Sequence, residues 1–226
     1  VPPTRTGAAS QVDGSAGSGS TSVTVPADCT LVIALFSSWD GNSGATITAL
    51  SLNGTPLVIA AQLADGHVAD ANMVGVASLA NPPTGTPTFA WTYSAGGARS
   101  EGGEIVLVYV KDDDGLRDGG VDSNEGGTAV AVTLDTETTD LLIVFAESID
   151  GGGPPVITGA TVTFIDNAAL NSHEYDVGEV APGASSTTVN MTGESYSAMA
   201  CASVKAEQAV TGEDRLPERL GRGAGW

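Results

Sequence analysis

The chain has 226 residues, enough for one large all-β domain or two domains of about 100 residues each. With 27 Asp+Glu against 8 Lys+Arg it carries a formal net charge of −19, which excludes the basic surface a nucleic-acid binder needs. A hydrophobic fraction of 41% against 15% charged residues excludes a disordered chain, and no apolar run is long enough for a membrane-spanning helix.

Residues 1–19 (VPPTRTGAASQVDGSAGSG) show no hydrophobic period and read as an extended N-terminal arm. Alternation begins at STSVTVP (20–26) and stops at Pro26. The run CTLVIALFSSW (29–39) is nearly continuous in apolar residues, the pattern of a strand covered on both faces. Asn53-Gly54 lies between two β-rich runs and predicts a hairpin, because a type I′ turn needs positive φ at both central residues. Strands are expected at 71–79, 87–93 and 104–111, with Asn81-Pro82-Pro83-Thr84-Gly85 as punctuation between the first two. The acidic, glycine-rich stretch 112–127 (DDDGLRDGGVDSNEGG) reads as a loop, after which strands resume at 128–134, 140–149, 160–166, 173–180, 186–192 and 195–206. No segment before residue 206 has a sustained helical period.

The chain also resembles itself. Residues 31–52 match residues 141–162 without a gap over 22 positions, at an offset of 110. Leu31 falls on Leu141, Ile33 on Ile143, Ser38 on Ser148, Asp40-Gly41 on Asp150-Gly151 and Ile47-Thr48 on Ile157-Thr158. The repeat halves are then 20–111 and 128–206, joined by the acidic loop 112–127. They form either two tandem immunoglobulin-like sandwiches or one shared sandwich. The apolar runs at 31–36 and 141–146 ask for cover on both faces, which favours the second. The expected fold is therefore all-β: a two-sheet antiparallel β-sandwich of jelly-roll type, with about twelve strands and an internal pseudo-twofold repeat.

Catalytic motifs are scarce. There are two histidines, His67 and His173, and no nucleophile elbow, zinc-protease helix, phosphate loop or Cys-x-x-Cys. Cys29 and Cys201 sit in apolar runs and read as small core residues. Asp112, Asp114, Asp118, Asp122 and Glu125 supply hard oxygen ligands among glycines, so the acidic loop is the candidate calcium site, and no other cofactor is indicated. Trp39, at the end of a buried strand, and Trp91 and Tyr93, on one face of another, read as core residues or, in the alternative, as ring platforms for a sugar. The tail 207–226 gathers Arg215, Arg219 and Arg222 and ends on Trp226, a set suited to docking on a partner.

The Pro-containing arm, the TSVTVP first strand, the LVIALFSSW strand, the NPPTGTPTFAWTYS segment and the terminal tail together resemble β-sandwich accessory proteins of tailed bacteriophage particles. Those are decoration or cement proteins, head fibres and tail-surface proteins. The resemblance implies a non-enzymatic protein of the virion surface, present in many copies or as a homo-oligomer. Its terminal arms would dock on the major capsid protein or another virion component, with no nucleic acid or membrane as partner. The alternative is an extracellular, calcium-dependent carbohydrate-binding module.

Overall fold

The computed structural model describes residues 1–13, 16–40, 46–64, 71–94, 102–125, 129–149, 156–158, 163–170, 173–192 and 196–207. Within them the chain is all-β, with no helix and only antiparallel pairings. The first half supplies β1 (Thr4–Arg5), β2 (Ser10–Asp13), β3 (Ser18–Ser22), β4 (Leu31–Asp40) and β5 (Ile47–Leu52). It continues with β6 (Thr55–Pro56), β7 (Val58–Ala64), β8 (Ala71–Ala80), β9 (Thr88–Tyr93) and β10 (Gly102–Lys111). The second half supplies β11 (Asp113–Glu125), β12 (Val130–Asp135), β13 (Leu141–Ile149) and β14 (Val156–Thr158). It ends with β15 (Thr163–Leu170), β16 (His173–Val180), β17 (Ser186–Thr192) and β18 (Tyr196–Ala206).

These strands form four sheets, not the two expected from sequence. In the first half an outer sheet, β3-β9-β5-β6, faces an inner sheet in which β1 and β2 both flank β10, followed by β4, β8 and β7. In the second half the outer sheet is β12-β17-β14 and the inner sheet is β11-β18-β13-β16-β15. The two strand orders correspond place by place: β10, β4, β8 and β7 stand where β18, β13, β16 and β15 stand.

Side-chain alternation builds three cores from these four layers. Val32, Ala34 and Phe36 of β4 point to the first outer sheet and meet Leu50, Phe89 and Trp91. The intervening Leu31, Ile33 and Leu35 point the other way, into a middle core shared with Ile143 and Phe145 of β13 and Ala198, Ala200 and Ala202 of β18. On the far side of β13, Leu142, Val144 and Ala146 pack on Val130, Val132, Leu134 and Met191. The apolar runs are thus covered on both faces, by four stacked layers. Each fully buried Leu, Ile or Phe contributes about 1.5–3 kcal/mol over the exposed state. That concentration of apolar side chains on β4 and β13 makes the inner sheets the centre of the molecule. Outer strands keep one wet face, and β12 alternates buried Val130, Val132 and Leu134 with exposed Ala131, Thr133 and Asp135.

The Asn53-Gly54 hairpin forms as its dipeptide requires, with φ of 46° and 78° and Leu52 paired to Thr55. Two segments differ from expectation. Residues 1–19 are not a free arm: β1 and β2 pair with β10, β3 pairs with β9, and Val12 is buried. The acidic stretch is not a loop: β11 pairs with β18 from Asp113 to Glu125, with irregular register around Leu116. Its glycines record close approach. A Cβ on Gly119 would lie 2.8 Å from Val76 Cγ1, and one on Gly120 would lie 2.6 Å from Val132 Cγ1. Successive residues face opposite layers, and at this strand both layers come too near for a side chain.

Candidate functional site

The strands β10 and β18 finish, and β4, β11 and β13 begin, at the same end of the stack. The first residue and the end of β18 meet there: the Val1 amino group donates to the Glu207 carbonyl at 2.8 Å. Arg5, Lys111, Arg117 and Lys205, the cationic side chains among the described residues, all belong to strands at this end. This end is the candidate site.

Each half fixes a carboxylate there, in the turn that leads into its central strand. In the first half Asp28 accepts from Thr6 Oγ1 at 2.7 Å and from Lys111 Nζ at 3.0 Å. The Thr6 hydroxyl first, and then Lys111, hold its carboxyl below the usual range, and the pair raises Lys111 in turn. In the second half Asp140 is buried and takes both arms of Arg117, Nε at 2.6 Å and Nη2 at 3.2 Å. It also accepts from the Glu137 amide at 2.9 Å and from Ser203 Oγ at 3.2 Å. Burial alone would push the Asp140 carboxyl up; Arg117, the Glu137 amide and Ser203 outweigh it and leave the group below its ordinary value. Arg117 reaches Glu137 Oε1 as well, at 3.0 Å. The Arg5–Glu179 pair, at 3.1 Å, joins the two halves across the surface. A shallow cavity of about 200 Å³ lies among Val1, Pro2, Asp114, Arg117, Lys205 and Glu207. A second, of about 390 Å³, lies on the other side of Arg117 beside Thr136 and Ser185.

This arrangement binds and braces. The two thiols are free and buried; burial pushes Cys29 up to about 11 and Cys201 higher still. Neither forms a thiolate at neutral pH.

The sequence-predicted residues are scattered. Asp112 occupies a corner with φ of 58°, and Asp114 is exposed. Asp118 and Asp122 both point at β12. Asp118 accepts from its neighbour Gly119 N and, at 2.9 Å, from Asp135 N. Asp122 accepts from Ser123 N and, at 2.9 Å, from Ala131 N. These two carboxylates stitch the inner sheet to the exposed edge of β12, a ladder made of side chains. The side chain of Glu125 lies outside the described residues. Among the described residues no group of three or more His, Cys, Asp or Glu is placed to hold a metal ion.

Of the two readings open to Trp91 and Tyr93 the structure shows the core: both are buried, Trp91 stacked at 6.1 Å from Phe89 with its Nε1 donating to Ala16 O. Their period-2 spacing on β9 turns both rings inward. The Trp39 side chain and residues Arg215, Arg219, Arg222 and Trp226 lie outside the described residues. Sequence reasoning missed the Arg117–Asp140 anchor; the signal was one arginine set among the acids of 112–125. No known protein family, no curated protein and no solved structure matches this chain.

Proposed function

We propose that this chain is a non-enzymatic structural protein of a virus particle, in its most specific form a capsid decoration or cement protein. It stands on the particle surface in many copies and attaches by the end where Val1 meets Glu207. The observation that supports this reading is the polarity of the stack. Val1 and Glu207 are joined at 2.8 Å, the described Lys and Arg side chains gather around them, and the segment with Arg215, Arg219, Arg222 and Trp226 continues from Glu207. Because Arg5, Lys111 and Arg117 are paired with carboxylates of this chain, the reading rests on Arg215, Arg219, Arg222 and Trp226, residue types that supply the usual anchors of a contact with an anionic patch on a major capsid protein.

The correspondence of strand orders and the match at offset 110 support a second element: the two halves are copies of one duplicated unit, related by a near-twofold axis through the middle core. The carbohydrate-binding alternative loses two of its three ring platforms to the core. Co-sedimentation tests the attachment. The full chain should pellet with capsids stripped of this protein, and a chain ending at Glu207 should stay in the supernatant. Equal pelleting of both refutes docking through the tail, and failure of the full chain to bind refutes the particle assignment.

A further inference from the structure

The middle core is an interface between like faces. Leu31, Ile33 and Leu35 of β4 lie in it, and so do Leu141, Ile143 and Phe145 of β13, the residues at the corresponding positions of the match. The alternate residues of both strands face the two outer cores instead. Each half therefore presents to the other the same side of the same sheet. Such a face is complementary to another copy of itself, the property of an isologous interface.

Only a short connection keeps that contact within one chain. β10 ends at Lys111 and β11 begins at Asp113, so the two inner sheets are joined through Asp112, with a second left-handed residue, Gly115, in the irregular first residues of β11. Asp112 adopts a left-handed φ of 58°, a conformation that most L-residues avoid. Polar ties between the halves include Arg5 to Glu179, the Val1 amine to Glu207, and Thr30 to Asp113, all exposed. Exposed pairs of this kind hold weakly against exchange.

We propose that the middle face is also an association surface whose partner is a second copy of this chain, reached by exchange of halves about Asp112. The first half of one copy packs on the second half of the other, and the reverse, so each middle core is rebuilt from two chains. No new contact surface is needed, because every contact of the closed chain recurs in the exchanged pair. Straightening the corner releases Asp112 from its left-handed conformation, and a short connection in that state favours exchange. The inference rests on the duplication reading and is independent of particle binding, which co-sedimentation tests separately.

The test is Asp112→Pro. Proline holds φ near −65° and so cannot make the corner, while Asp112→Gly, which accepts positive φ, serves as the closed control. Both carry R5C and E179C, so that a short bis-maleimide reports which chains lie side by side. The proposal expects D112P to double its mass by light scattering and to cross-link between chains, with D112G monomeric and linked within the chain. A folded, monomeric D112P overturns it, as does a D112P dimer linked only within chains. Should D112P fail to fold, the R5C/E179C chain with Asp112 intact is concentrated, warmed into its unfolding transition, cooled and cross-linked. Inter-chain links support exchange, and purely intra-chain links overturn it.

Discussion

Replacing Asp140 by Asn tests the polar anchor of the second half without changing its shape. The carboxylate accepts four hydrogen bonds, two of them from Arg117 and one each from the Glu137 amide and Ser203. An amide keeps one acceptor oxygen and turns a donor toward groups that themselves donate. Losing a charge-assisted bond costs about 1.5–3 kcal/mol, and leaving the Arg117 guanidinium without its charge partner adds to that. Arg117 keeps Glu137 and some exposure to water, which lowers the total to about 2–4 kcal/mol. For a chain of this size that is a fall in Tm of roughly 4–16 °C. The pH dependence separates this account from simple packing damage. The folded Asp140 carboxyl titrates below its ordinary value. Its stabilisation is therefore complete above the unfolded value of about 4 and is lost as pH falls through the folded one. Urea unfolding of both proteins from pH 7 down to pH 2.5 should show the gap between them close below about pH 4. A gap that persists unchanged into acid, or one under about 0.5 kcal/mol at pH 7, refutes the reasoning.

Further outcomes follow from the same contacts. Asp118→Ala and Asp122→Ala each free one β12 amide from its carboxylate; each should cost about 1–3 kcal/mol and speed hydrogen exchange at Asp135 and Ala131 respectively. Gly120→Ala places a methyl within 2.6 Å of Val132 and 2.9 Å of Leu134, so an overpacking loss of about 1–3 kcal/mol is expected in urea, whereas Gly54→Ala meets open space and loses stability only through its φ of 78°. Both thiols should resist a disulfide reagent at pH 8 in the native protein and react fully in denaturant, since Cys29 and Cys201 are buried and their pKa values are raised.

Alternation, apolar runs and turn dipeptides are local signals, and they determined much of this molecule by themselves. Val130, Val132 and Leu134 announce a half-buried strand. LVIALF and LLIVFA announce strands covered twice, and Asn53-Gly54 announces its hairpin. Two things lay beyond that reach. Residues 10–13 and 113–125 are poor in apolar residues and rich in Ser, Asp and Gly, so they carry no periodic signal; they become strands because β10 and β18 each offer them an open edge. The acids of β11 face the same limit: whether Asp118 and Asp122 bind a cation or a backbone amide depends on what lies 3 Å away, and β12 lies there. The need of β4 and β13 for two-sided cover is written in their side chains. Tertiary packing alone decided that each covers the other, stacking four sheets where the pattern suggested two.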